Sequence, residues 1–245
     1  MYSIFARCYD RVMSDVPYAE WATYITVLFN SYHMCTSVIL DIGGGTGILA
    51  AALSGMGYRV DILDKSKAML DEAKKKNYKI MPSFFCADIL TQSPRGLWDT
   101  VLCLHDTINY FHTQEQLKIF FSNTAAVLPE NGFLIVDNCT EYNILTNFSG
   151  KTYYDTYEDM GYIWENSYNP ETRTVTITMH FTGTKTETPV YCEKHTHVLH
   201  TEKTLRECAD PFFSCVDVLH GFSLRKTATD TEEEYYIFKR KSVKE

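Results

Sequence analysis

Between residues 38 and 138, short apolar runs alternate with segments whose apolar residues recur every three or four positions. The runs "SVILDIG", "YRVDILD", "SFFCADI", "WDTVLCLHD" and "FLIVDN" read as five buried strands. Between them, "GILAAALSGMG" reads as a helix closed by glycine. "KSKAMLDEAKKKN" is a helix with Met69, Leu70 and Ala73 on one face and lysines in its last turn, where they complement the dipole. "TQEQLKIFFSNTAAVL" places Leu117, Phe120, Phe121 and Ala125 at helical spacing, and "PENG" is a turn. Ahead of the first strand, Trp21, Tyr24, Ile25, Leu28, Phe29 and Tyr32 predict an amphipathic helix over residues 10–33, with Pro17 in its first turn. Strict alternation of strand and helix implies right-handed crossovers and a parallel sheet covered on both faces. Ligands of such sheets lie beyond the carboxyl ends of the strands, near the switch point.

The pattern changes at about residue 150. "GYIWENSY", a turn at Asn169-Pro170, "RTVTITMHF" and "VYCEKHTHVLH" alternate with period two and predict antiparallel strands with one apolar face. A helix around "EKTLRECAD" and strands around "CVDVLHG" and "EEYYIFKRK" then return to the main sheet. The expected fold is therefore α/β: a doubly wound, mostly parallel seven-stranded sheet with an antiparallel β insertion after the fifth strand. Residues 1–245 are read as one domain, with an N-terminal helical lid (1–37), a core (38–149), an inserted cover (150–200) and a C-terminal completion of the sheet (201–245).

Composition narrows the function. A 45% hydrophobic, 22% charged chain with a net charge of −8 and no basic block argues against a nucleic-acid partner, because phosphate neutralisation needs clustered Lys and Arg. No apolar run approaches the ~20 residues of a membrane span, so a cytoplasmic protein is expected, as a monomer or homodimer. The eight cysteines are scattered without a C-x-x-C pair and read as reduced thiols.

The chemistry gathers at the strand ends. Asp41, Asp64, Asp88 and Asp106 follow four successive strands, and the first precedes the glycine loop of "DIGGGTGILA". Read from Gly45, this loop contains G-x-G-x-x-A, a dinucleotide pattern, and Asp64 could serve the ribose of such a cofactor. Asp41 and Asp88 are awkward beside a pyrophosphate and favourable beside a cation. S-adenosylmethionine carries a sulfonium and an ammonium and no phosphate. Asp41 would face its ammonium side, Asp64 its ribose hydroxyls and Asp88 its adenine amino group, with free amides at the helix start receiving its carboxylate.

In "VILDIGGGTG", "VDILDKSKAML", "CADI" and "LPENGFLIVD" the chain resembles the class I S-adenosylmethionine-dependent methyltransferases. Through "FARCYDRVMSDVPYAEW", "LHDTINYF" and "GYIWENSY" it resembles a bacterial YqeM-like small-molecule group within them. The resemblance implies that Gly43, Gly45 and Gly47 lie at the methionine and ribose, Asp64 at the ribose, and Asp88 with the Ile89 backbone at adenine. It further implies that Met69 packs on the adenine face, that Leu104 and His105 line the methionine part, and that the N-terminal helix lids the cofactor with Tyr9, Tyr18 and Trp21. Where it implies an arginine after the acid-x-His pair of "EKHTHVLH", the chain has Val198.

Methyl transfer relies on positioning, and a base is needed only when the acceptor arrives protonated. His105, Asp106 and Tyr110 are the candidate catalytic groups, with Asn109 as an orienting amide and a small-molecule methyl acceptor as partner. Aromatics of the insertion (Tyr153, Tyr154, Tyr157, Tyr162, Trp164, Tyr168) are candidates to wall the acceptor. Cys192, His195, His197 and His200 are metal-ligand types, but strand periodicity puts the middle two on one face and the outer two on the other, so no metal is expected. Two other functions remain open to the sequence: a non-catalytic S-adenosylmethionine-binding protein and an NAD(P)-dependent oxidoreductase.

Overall fold

A computed structural model describes residues 5–157, 160–183 and 189–242. Five strands, β1 (Ile39–Ile42), β2 (Val60–Asp64), β3 (Phe84–Cys86), β4 (Thr100–Cys103) and β5 (Phe133–Cys139), run parallel. The antiparallel β6 (Thr152–Thr156), β7 (Met160–Asn169), β8 (Thr174–Gly183) and β9 (Pro189–Val198) form a separate sheet of four. The chain then returns through β10 (Phe213–His220) and β11 (Glu233–Arg240), giving a main sheet of seven in the order β10-β11-β5-β4-β1-β2-β3. β11 is antiparallel to β5, so the sheet is mostly parallel as expected. β1 lies between β4 and β2, which places the switch point at its carboxyl end.

Helices α1 (Phe5–Val12), α2 (Tyr18–Ser31), α3 (Ile48–Gly55), α4 (Lys67–Ala73), α5 (Gln114–Ala126), a single turn α6 (Glu141–Asn143) and α7 (Glu202–Ala209) accompany the sheets. The single helix expected over 10–33 is instead two. Pro17 stands just before α2 at φ −79°, and its ring blocks continuation of any preceding helical turn. α2 buries Trp21, Tyr24, Ile25, Leu28 and Phe29 at the predicted spacing. α4 is shorter than predicted: its lysines lie in the turn that follows, and the Tyr78 hydroxyl donates to the Ala73 carbonyl (2.9 Å) where the helix ends. β6 adds an exposed edge strand that the sequence pattern did not announce.

The core splits around the main sheet. Leu40, Val101, Phe120, Phe121, Val136 and Phe238 pack on one side, and Ile25, Leu28, Ile39, Leu53, Ile62 and Ile237 on the other. A third cluster joins Phe5, Ala6 and Cys8 of α1 to Met69 of α4 and to Met179 and Phe181 of β8. It closes the inserted sheet and α1 over the carboxyl edge of the main sheet. All eight cysteines are unpaired. Among the described residues no helix is long and apolar enough to cross a membrane.

Candidate active site

A cavity of about 320 Å³ lies at that edge. Its floor is the β1–α3 loop, its sides are the ends of β2, β3 and β4, and its roof is α1, the start of α2 and the inner face of the small sheet. Asp41, Gly43, Gly45, Asp64, Met69, Asp88, Ile89, Leu104, His105, Asp106, Tyr110, Tyr18 and Trp21 all line it. Gly44 and Thr46 of the loop belong to it too.

The loop turns through three glycines at positive φ: Gly43 (75°), Gly45 (55°) and Gly47 (74°), a region that side chains disfavour. At Gly43, an added Cβ would stand 2.4 Å from Thr107 Oγ1, whose hydroxyl donates to the Leu104 carbonyl. Gly43→Ala therefore strains the backbone and breaks that contact, and is expected to lower stability by about 2 kcal/mol, read as a shift in the denaturant midpoint. Gly47 stands outside the cavity lining. It is the N-cap of α3, and a Cβ there would meet the Tyr78 hydroxyl at 2.4 Å. Two loop amides expected to be free are used internally: Gly45 N–H donates to Asp64 Oδ2 (2.9 Å) and Gly47 N–H to the Gly44 carbonyl (2.9 Å).

The four carboxylates have different surroundings. Asp64 accepts from Gly45 and, through Oδ1, from Ser66 N–H (2.7 Å), which fixes its rotamer at the end of β2. Asp88 Oδ1 accepts Leu90 N–H (2.9 Å). Asp41 is only 4% exposed. No hydrogen-bond donor of the described residues reaches it, and burial together with Asp64 raises its pKa to about 7. Lys76 and Thr46 Oγ1 both bind Asp10, tying α1 down over the loop.

After β4 the backbone enters the left-handed region at two successive non-glycine residues, His105 and Asp106, both at φ 60°. Asp137 of β5 holds this turn. Its Oδ2 accepts His105 N–H (2.6 Å) and its Oδ1 accepts Asp106 N–H (3.0 Å). A fifth strand thus contributes a carboxylate, which sequence reasoning missed because it lies inside the apolar run "FLIVDN". Burial raises Asp106 to about 6 and Glu233 to about 7, and pushes Asp137 up as well, reinforced by those two neighbours. Because these carboxyls raise one another, they do not titrate independently.

His105 Nδ1 lies 3.2 Å from the Tyr9 hydroxyl and 3.1 Å from that of Tyr18, with Trp21 edge-on at 5.2 Å. Burial lowers its pKa to about 4, so the imidazole is neutral at physiological pH. Asn109 differs from expectation. Fully buried, it donates to Asn138 Oδ1 and the Val198 carbonyl and accepts Cys139 N–H, locking β9 to the core.

Of the insertion's aromatics, Trp164 alone lines the cavity, joined by Ile177 and Met179 of β8. Tyr154 is 79% exposed, while Tyr157 and Tyr168 bond Arg11 and Glu141 elsewhere. His195 and His197 line the cavity too. Cys192 is exposed on the opposite face, and His200 Nε2 contacts the Ile108 carbonyl (3.3 Å). The signal for the two inner histidines was parity: residues 193, 195 and 197 are buried, whereas Cys192 and Lys194 are exposed.

Residues 39–132 match the model of a methyltransferase domain. The YqeM protein of Bacillus subtilis (strain 168), itself assigned only provisionally as a methyltransferase, is 30% identical over 168 residues, covering 68% of this chain and 66% of that one. The match thus spans just under two thirds of that relative's length. Among solved structures, an S-adenosylmethionine-dependent methyltransferase from Clostridium acetobutylicum ATCC 824 superposes with a TM-score of 0.83 at 24% identity, covering 98% and 99% of the two chains. The sugar N-methyltransferase KedS8 from Streptoalloteichus sp ATCC 53650 gives 0.78 at 17%, covering 99% and 93%. At these identities the structural likenesses establish the fold.

Proposed function

We propose that this protein, whose residues 39–132 match the model of a methyltransferase domain, transfers the methyl group of S-adenosylmethionine to nitrogen or oxygen of a small-molecule acceptor. The observation that carries the reading is Asp41. A buried carboxylate without a donor is costly unless a cation joins it, and an ammonium is the group that fits. Among the described residues, four carboxylates line the cavity against one cationic side chain, Lys65, a field hostile to the pyrophosphate of a dinucleotide.

Bound here, S-adenosylmethionine supplies a methyl carbon already activated by its sulfonium. Asp41 holds the ammonium, Asp64 the ribose hydroxyls with the lone pairs left by its two amide bonds, and Met69 with Ile89 gives the adenine an apolar slot. α1 and α2 exclude water above it through Phe5, Tyr9, Met13 and Trp21, which raises the electrostatic contrast inside. At the opposite end, His105, His195 and His197 are uncharged, with pKa values lowered by burial to about 4, about 4 and about 3. Uncharged imidazoles beside Asp106 suit a neutral or cationic acceptor and disfavour an anion. The likeness to a sugar N-methyltransferase supports the nitrogen option. Unpaired thiols favour a cytoplasmic setting.

Calorimetric titration tests the cofactor: S-adenosylhomocysteine should bind in the micromolar range or tighter and NAD not detectably. Tight NAD binding with no response to the thioether would sink the reading. Transfer of label from methyl-labelled cofactor into a deproteinised bacterial metabolite extract tests turnover, and cofactor binding without any transfer would favour a non-catalytic binder.

A further inference from the structure

We propose that Tyr110, His195 and Glu193 form a proton relay that removes the proton an acceptor gives up, with Tyr110 as the group that touches the acceptor. The inference rests on the methyl-transfer reading. Tyr110 ends a 3-10 turn (Thr107–Tyr110) after β4, and its hydroxyl lies 3.2 Å from His195 Nδ1. The other ring nitrogen, Nε2, is 3.7 Å from Glu193 Oε1, beyond hydrogen-bond reach but within ion-pair distance once the ring is protonated. Both β9 residues are buried, at 4% exposure for Glu193 and 5% for His195. Tyr110 and His195 line the cavity, and Glu193 stands behind them outside it.

The direction of the relay follows from donor and acceptor capacity. The relay requires Glu193 to be ionised: an ionised carboxylate only accepts, so the imidazole would then carry its proton on Nε2, toward Glu193, and Nδ1 would accept from the phenol. Burial keeps the ring neutral before reaction. As the acceptor's lone pair bonds to the methyl carbon and the carbon–sulfur electron pair leaves with sulfur, the acceptor's proton passes to Tyr110 Oη. The phenolic proton passes to His195 Nδ1, and the imidazolium so formed faces the Glu193 carboxylate. His195 and Glu193 are positioning residues, acting through Tyr110. His105, another neutral imidazole at the reacting end, is placed differently: two tyrosine hydroxyls meet its Nδ1, and among the described residues its direct carboxylate contact is the one its backbone makes with Asp137.

The wiring is tested without an acceptor by nitrogen-15 NMR of histidine-labelled full chain saturated with S-adenosylhomocysteine, with His195 assigned by His195→Gln. The Nε2–H tautomer should dominate at pH 7 by at least about tenfold. Glu193→Gln should reduce that preference severalfold, and Tyr110→Phe should move the Nδ1 resonance. A dominant Nδ1–H tautomer, or tautomers indifferent to Glu193→Gln, would overturn the relay. In the label-transfer assay, Tyr110→Phe and His195→Gln should each lose about a hundredfold in rate with the S-adenosylhomocysteine Kd within twofold of the parent. Undiminished rates would also overturn it. A parent protein that transfers no label defeats the methyl-transfer reading instead, and the NMR result still decides the wiring.

Discussion

Asp41→Asn is expected to bind S-adenosylhomocysteine at least about a hundredfold more weakly than the parent, because removing one partner of a buried charge pair costs about 3–5 kcal/mol. The asparagine has nearly the same shape, so the loss reports charge and not packing. The pH dependence gives the sharper test. Asp41 titrates at about 7 in the free protein because it is buried and faces Asp64. The ligand's ammonium needs the ionised form, so affinity should rise as pH increases from 5.5, approach tenfold per unit well below 7, and level off above it. The sign is set by proton release: below pH 7 the free protein holds a proton that binding must expel. Asp41→Asn has none to expel, and its profile should be flat at this step. Calorimetry at pH 5.5, 6.5, 7.5 and 8.5, in buffers of differing ionisation enthalpy, reads both affinity and proton release. A parent affinity independent of pH would place the ammonium elsewhere.

The main sheet was legible because each of its strands is a short apolar run bounded by turn residues, and the crossover helices bury their faces at the expected three- and four-residue spacing. α1 was not. At eight residues its pattern is too short to separate from α2, and only Pro17 marked the break. The convergence of Asp41, Asp64, Asp88 and Asp106, which end successive strands, on one cavity was legible. The site was poorly legible on the side proposed for the acceptor. There the contributors are polar residues on a buried face: the sequence reads the segment of His195 and His197 as metal-binding or as a polar or substrate-facing strand, and only the small sheet folded over the core turns these two into the cavity. Asn109 shows the converse. It reads as an orienting amide from its place in "LHDTINYF", yet its side chain is consumed in joining two sheets. Sequence order reports which residues share an edge, and only packing decides whether a polar group faces ligand or protein.

Asp137→Ala is expected to destabilise the protein by about 3 kcal/mol, since a buried donor left without a partner costs about 1–3 kcal/mol and two buried amides lose theirs here. The substitution strands His105 N–H and Asp106 N–H inside the fold, at two residues already held at φ 60°. Left-handed backbone of this kind persists only where its surroundings enforce it, so the turn should relax and carry the His105 ring away from Tyr9, Tyr18 and Trp21. Asp137→Asn keeps one acceptor oxygen and points an amide N–H at another N–H, and should fall between the parent and the alanine variant. Relief of repulsion with Asp106 and Glu233 works against the loss, because burial and mutual proximity raise all three carboxyls. It is the smaller effect, because burial and not that repulsion is the largest cause of each upward shift. Urea unfolding at pH 7 measures the balance. An Asp137→Ala midpoint equal to the parent's would show that carboxylate repulsion, and not the strained turn, dominates this corner of the site.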